Sequence, residues 1–347
     1  MAEIIFARVA GLDVHKKSVV ACRRILDVRA NEVMAETKTF GTMTSDLLEL
    51  SDWLAEWAIT HVAMESTGEY WKPIYNILEG NFTVFLVNAQ HVKHVPARKT
   101  DVKDAEWLAE LMQMGLLKPS FIPEKPQRDL RDLTRERSAL VRERTRVANR
   151  IQKVLEQGNI KLASVASDVL GVSGRAMLQA LANGETDVVK MANLAKGRLR
   201  TKIPELQKAL TGRMDAHHRF LLSQHLAHID FLDAQIAALD EEIIRRIDAM
   251  SDIPEDDHDD ESQDRLTWRQ SVDLLDTIPG VDRRAAEMIL AEIGVDMDRF
   301  PSARHLAAWA GVAPGNHLRS RRHERLHANK DENFVYVMLS DRRERGI

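Results

Sequence analysis

One cysteine, Cys22, stands in 347 residues. A lone thiol closes no intramolecular disulfide and builds no cysteine-rich zinc site, and it suits a reducing compartment. Aromatic residues make up 5%, so buried cores must come mainly from Leu, Ile, Val and Ala, a supply that favours packed helices. No apolar run approaches the ~18 residues that would span a bilayer. The N-terminus also lacks the pattern of a signal peptide. The expectation is a soluble, cytoplasmic protein with no membrane partner. Net charge is −4, so the chain is no polycation, and any attraction for nucleic acid has to come from local patches. What is present is ample: 44% hydrophobic residues can build real cores, and the length allows two or three domains of ~100–200 residues each.

The first 123 residues read as an α/β domain. Residues 4–12 are apolar and β-branched and end at Asp13. A short turn through His15, Lys16 and Lys17 leads into a second apolar run at Ser18–Cys22, which makes a hairpin, and a third strand is expected near Val33–Phe40. Thr44 or Ser45 would then cap a helix carrying Leu47, Leu48, Leu50, Trp53, Leu54 and Trp57. His61–Met64 reads as a short buried strand ending at Glu65, and Gly68 allows the break after it. A helix over 70–79, a strand over Phe82–Val87 and a helix from about Asp101 to Met114 follow. Asp101 and Asp104 lie three apart, on one helix face near its start. Sites in open α/β sheets collect at the carboxyl ends of strands, which is where Asp13 and Glu65 fall. Between Val87 and Lys103 the chain is polar and basic, with Lys93, Arg98, Lys99 and Lys103. Lys16, Lys99 and Lys103 are candidate phosphate contacts, with solvated surface lysines as the alternative.

Residues 124–250 read as a helical coiled-coil spacer. One long helix covers Gln127 to about Gln157, with Leu133, Leu140, Val147 and Val154 recurring every seven residues. Its outer face carries Arg128, Arg131, Arg135, Arg137, Arg142, Arg144, Arg146, Arg150 and Lys153, either a phosphate-binding face or a solvated face with intrahelical ion pairs. A second long helix is expected over about 205–250, with Leu222, Ile229, Ile236 and Ile243 in its seam. The pattern leaves open whether the two helices pair with each other or with a second chain. His217, His218, His225 and His228 lie here without an evident partner carboxylate and read as packing or surface residues. An acidic linker covers 251–266. From 267 to 347 comes a helix-hairpin-helix-like C-terminal domain. In it, Ile278-Pro279-Gly280-Val281 makes a tight turn, and the following helix N-terminus, with Arg283 and Arg284, can face a phosphate.

Cutting or exchanging a phosphodiester needs an activated nucleophile and a stabilised leaving oxygen, and a pair of Mg²⁺ ions held by acidic side chains supplies both. Without metal, crowded carboxylates repel one another. The stretches Gly11-Leu-Asp13-Val-His15-Lys16, Glu65-Ser-Thr-Gly68-Glu69-Tyr70-Trp71 and Lys99-Thr-Asp101-Val-Lys-Asp104-Ala105 resemble the motifs of the DEDD transposases of the IS-one-ten insertion-sequence family. Ile278-Pro279-Gly280-Val281 and Trp309-Ala-Gly311-Val-Ala-Pro314-Gly315-Asn316 resemble the same family's C-terminal transposase domain. The resemblance implies a RuvC-like, RNase H-type N-terminal fold. It also implies a Mg²⁺-binding tetrad of Asp13, Glu65, Asp101 and Asp104, and DNA as substrate. Site-specific recombination that moves the element, a guide RNA from the element and a homo-oligomer joined partly through the coiled coil are implied as well.

The sequence departs from the family after Asn316. The family places a nucleophilic serine in a Ser-x-Gly-Lys context there, whereas this chain reads His317-Leu318-Arg319-Ser320-Arg321. A reading frame shifted near residue 317 would produce this, leaving a truncated, inactive copy, and Ser320 is not assigned as a nucleophile. Two other functions stay open at this point. One is a RuvC-like structure-selective DNA nuclease, which needs the tetrad and no serine. The other is a non-catalytic nucleic-acid-binding protein that uses the hairpin and the arginine helix.

Overall fold

The computed structural model describes residues 4–27, 32–66, 68–88, 104–252 and 266–310. They fall into two compact units, Met1–Ile122 and Pro123–Ile347. The first is a five-stranded mixed sheet between helices, and the second is helical.

In the first unit, β1 (Arg8–Val14), β2 (Val19–Asp27) and β3 (Glu32–Phe40) form an antiparallel meander. After α1 (Thr44–Glu56), β4 (His61–Glu65) returns parallel to the other edge of β1, and after α2 (Trp71–Leu78), β5 (Thr83–Val87) adds parallel to β4. The strand order is β3-β2-β1-β4-β5. The period of two in strand side chains splits β1 and β4 cleanly. Ala10, Leu12, Val62 and Met64 face α1 and α2, where they meet Leu47, Leu50, Leu54, Ile74 and Leu78. Val9 and Ala63 face the other way, onto α3 (Asp104–Gln113), through Trp107, Leu108, Leu111 and Met112. The helix after β3 starts differently from the expectation: Met43 is its cap residue, and the Asp46 carboxylate accepts from the Met43 N–H at 3.2 Å. Asp46 therefore does what Thr44 or Ser45 was expected to do.

The second unit is organised by α4 (Lys125–Gln157) and α8 (Ala216–Ser251). Between them lie α5 (Val172–Ala182), α6 (Val188–Ala192) and α7 (Ile203–Leu210). The long helices pair with each other and run antiparallel. Asp129 meets Arg246 at 3.6 Å, Arg137 meets Asp240 at 2.5 Å, and Arg144 meets Asp233, so position rises along one helix as it falls along the other. At one end, Val147, Ile151 and Val154 pack with Leu222, Leu226, Ile229 and Leu232 under a cover from α5 to α7. At the other, Leu130, Ile243 and Ile247 share a core with Val272 of α9 (Trp268–Asp276) and with Ala286, Leu290 and Ala291 of α10 (Arg283–Ile293). A short α11 (Ala303–Trp309) ends the described chain.

The second long helix is shorter than the expected 205–250, because the chain breaks between α7 and α8. A Cβ on Gly212 would lie 2.4 Å from the Gly158 carbonyl oxygen, and the Arg213 N–H donates to that oxygen at 2.8 Å. The close crossing bends the backbone out of helix, and Asp215 then starts α8 as its cap residue. Residues 253–265, most of the expected acidic linker, lie outside the described residues.

Candidate active site

Asp13 and Glu65 take their places from the register of β1 and β4. Leu12 pairs with Met64 across the parallel ladder, and each acid is the next residue on its strand. Because Leu12 and Met64 point into the α1/α2 core, Asp13 and Glu65 both point to the opposite face, the one covered by α3. Adjacent strands are ~4.8 Å apart, so two carboxylates issue from neighbouring strand ends on one side of the sheet.

Helix α3 brings a third. At one end, the N–H groups of Ile5 and Phe6 donate to the Gln113 carbonyl at 2.9 and 3.2 Å. Further along, Gly11 lies against the backbone of α3: a Cβ there would be 2.2 Å from the Ala105 oxygen and 2.4 Å from the Ala109 nitrogen. The helix therefore runs antiparallel to β1, and its N-terminus, with Asp104 as first residue, arrives at the strand end that carries Asp13. Gly11 is what permits this, since any side chain would push the helix away. Acids at a helix start are also favoured by its positive end. Asp101, Lys99 and Lys103 lie outside the described residues.

Asp13 is partly exposed, and its Oδ2 lies 3.1 Å from the Nε2 of His15, which is mostly exposed. Lys16 is exposed in the same turn. After Glu65, Gly68 adopts a φ of +51°, as the sequence break required, and Glu69 pairs with Lys72 at 2.6 Å.

Among the described residues, the one group of three ligand-bearing side chains with all donor atoms within 4.8 Å is Asp215, His217 and His218. Asp13, Glu65 and Asp104 share a face and an end of the sheet without closing to that spacing. The sequence reading named His217 and His218 but missed Asp215, two residues earlier. Its position before an apolar heptad run, with a histidine three residues on, was the available signal for a helix start. The Asp215 carboxylate takes a hydrogen bond from Arg213 at 2.9 Å, and its N–H donates to His218 Nδ1 at 3.3 Å. Those bonds, with His218 buried, fasten the start of α8.

The arginine face of α4 is largely turned inward on the protein. Arg131 and Arg135 both bind the buried Glu292 of α10, at 3.2 and 2.8 Å, and burial pushes the Arg131 guanidinium below its ordinary value. Arg137 and Arg144 cross to α8, and Arg146 pairs with Glu143 on its own helix. Arg142, Arg150 and Lys153 are exposed. In the C-terminal hairpin, Arg283 and Arg284 both reach Glu287, Arg284 also reaches Asp240 at 3.0 Å, and the start of α10 is closed by Asp282, which accepts from the Ala285 N–H at 2.8 Å. Gly280 has the positive φ, +92°, that the tight turn needs. Residues 311–347, including Ser320, lie outside the described residues, and among the described residues no helix is long and apolar enough to cross a membrane.

The first unit thus carries acids where two parallel strands end and a helix begins, and a helical unit follows it. Comparison with protein families gives the family. A DEDD transposase model of the IS110 type matches residues 10–160, and a second model, described as transposase IS116/IS110/IS902 family, matches residues 272–331. The two cover more than half of the chain in the order of the sequence motifs, and the chain belongs to the IS110 family of transposases. DNA transposition by recombination is the activity class that this membership carries, with DNA as the substrate. The second match runs past Asn316 and includes Ser320. No curated protein matches the chain.

Proposed function

We propose that this transposase cleaves and exchanges DNA strands with Mg²⁺ held by Asp13, Glu65, Asp101 and Asp104. The observation that carries the reading is the convergence of Asp13, Glu65 and the Asp104 end of α3 on one face of the sheet, permitted by the bare backbone of Gly11. The strand order β3-β2-β1-β4-β5 supports an RNase H-type domain of the RuvC kind. The donor set fits the ion: hard carboxylate oxygens, some at a solvent-facing edge where waters complete the shell. Bound divalent metal supplies activation of the attacking oxygen and stabilisation of the leaving oxygen. The carboxylates would hold and space the charge, Asp13 and Glu65 from neighbouring strand ends and Asp104 from the start of α3. Lys16, together with Lys99 and Lys103, which flank Asp101 in the sequence, would contact phosphates of the bound strand. Guidance by an RNA from the element, assembly as a homo-oligomer and a cytoplasmic location complete the reading.

The experiment is Mg²⁺-dependent cleavage and strand exchange on DNA carrying the element's ends, with the element's RNA present. Asp13→Asn and Glu65→Gln are each expected to lower the rate by at least about a hundredfold, on the scale of losing a group that stabilises transition-state charge. Rates at the wild-type level in both variants would overturn the metal assignment. A second reading is a RuvC-like nuclease that cuts without rejoining; that chemistry uses the acids alone, so the run beside Ser320 does not weigh against it. Cleavage by the chain as it stands, without strand exchange, would select it. Strand exchange only after the frame beyond codon 316 is restored to a Ser-x-Gly-Lys pattern would mark this copy as inactive. The arginine helix and hairpin, on which a purely binding role would rest, spend much of their charge within the protein.

A further inference from the structure

His15 follows β1 by one residue, and the turn that carries it is fastened on both sides. Its N–H donates to the Ser18 carbonyl at 2.9 Å, and the carbonyl of Lys16 accepts from Thr42 Oγ1 at 3.2 Å. Its ring faces the first acid of the proposed centre, with Nε2 at 3.1 Å from Asp13 Oδ2. The two side chains are 59% and 30% exposed, so an exposed His–Asp pair of this kind adds little to stability. The spacing has another use. Two donors in adjacent positions of an octahedral ion, each about 2.1 Å from it, stand ~3.0 Å apart. A nitrogen and an oxygen hydrogen-bonded at that separation, open to solvent at the strand end next to the one that carries Glu65, can turn to a shared cation as a chelating pair. A neutral imidazole also adds a donor without adding to the repulsion among carboxylates.

Resting on the metal reading above, we infer that His15 is a nitrogen donor to the ion that Asp13 holds, binding through Nε2 next to Asp13 Oδ2. Its imidazole tilts the site toward ions that accept nitrogen. Carboxylates alone suit Mg²⁺, whereas imidazole suits the later first-row metals, which also bind more strongly along the Irving–Williams order. The centre accordingly takes Mn²⁺ and Co²⁺ as well as Mg²⁺, and His15 sets the preference among them.

The test uses the full chain loaded with Mn²⁺ and pulsed electron paramagnetic resonance, which reads nitrogen bound directly to the ion. Calorimetric titrations with Co²⁺ and Mg²⁺ run beside it. Wild type is expected to show nitrogen coupling. His15→Ala should lose that coupling while still binding Mn²⁺, and its Co²⁺ affinity should fall about tenfold or more with little change for Mg²⁺. Absence of coupling in wild type, or its persistence in His15→Ala, overturns the inference. So does an equal fall in Co²⁺ and Mg²⁺ affinity, which would make His15 a hydrogen-bonding partner that only orients Asp13. Asp13→Asn separates the two levels of the argument. If Mn²⁺ binding and the nitrogen signal survive that change, the ion sits elsewhere, with Asp215, His217 and His218 the first place to look, and the reading of the active site fails along with the role of His15.

Discussion

The two units of this protein both pair opposite charges, but they differ in where like charges are left together. The first, beside pairs such as Glu69 with Lys72, brings Asp13, Glu65 and Asp104 to one end of a sheet. The second sets opposite signs against each other along its whole length: Arg246 against Asp129, Arg137 and Arg284 against Asp240, Arg144 against Asp233, and Arg131 and Arg135 against Glu292. Matched pairs hold helices in register. Like charges drawn together oppose folding, since two carboxylates ~5 Å apart at an effective dielectric of ~20 repel by roughly 3 kcal/mol, a cost that a cation bound at the proposed centre would offset. The same formal charge thus means different things in the two units, and the partner across the gap decides which.

The comparison can be broken at several points. Gly11→Ala should have the largest effect after loss of the acids themselves. The new methyl meets helix backbone rather than a flexible side chain, so α3 must shift. A loss of about 3 kcal/mol is expected in denaturant unfolding of the first unit, together with loss of the thermal stabilisation by Mg²⁺. Glu292→Gln should cost a similar or slightly smaller amount in the second unit, about 2–3 kcal/mol, because it takes the charged partner from the Arg131 guanidinium, which has little solvent around it. Stability within about 0.5 kcal/mol of wild type would mean that Glu292 holds nothing. The effect of pH should be smaller. His61 lies between Phe6 and Phe85, and burial lowers its pKa; burial first, then Arg150 and His228, lower that of His225. The unfolded chain then takes up these protons more readily than the folded one. Stability is complete above the ordinary histidine pKa of ~6.5 and falls as pH drops below it. Melting temperatures from pH 8 to pH 5 should show this decline, and His61→Gln should flatten part of it. Smallest of all, Arg144→Ala removes a partly exposed pair and should cost less than about 1 kcal/mol; a larger loss would show that the long helices depend on each bridge rather than on their apolar seam.

Much of the first unit was legible because its signals are local. The β-branched runs, the turn at His15–Lys17 and the glycine at 68 mark strands and breaks within a few residues of where they act, and the acids fall at those breaks. The second unit is legible only in its helices. Which helix α4 faces is decided by contacts between residues about a hundred positions apart, such as Arg137 with Asp240, and a seven-residue repeat names no partner. The arginine face looked available for phosphate because its acids lie on other helices. The break before α8 was hidden for a related reason: Gly212 is an ordinary loop glycine until the end of α4 is seen lying under it.

The bridge between Asp129 and Arg246 places the beginning of α4 beside the end of α8. The chain therefore leaves on one helix, travels more than thirty residues out, and comes back to the point of departure. An excursion that returns to its origin has a length that is free to vary. Removing or adding matched pairs of helical turns in the two helices would change how far the tip at Gly158 and Gly212 extends without parting Asp129 from Arg246. Such a hairpin works as a ruler, and its span is a quantity that could drift between relatives while the ends it joins stay fixed.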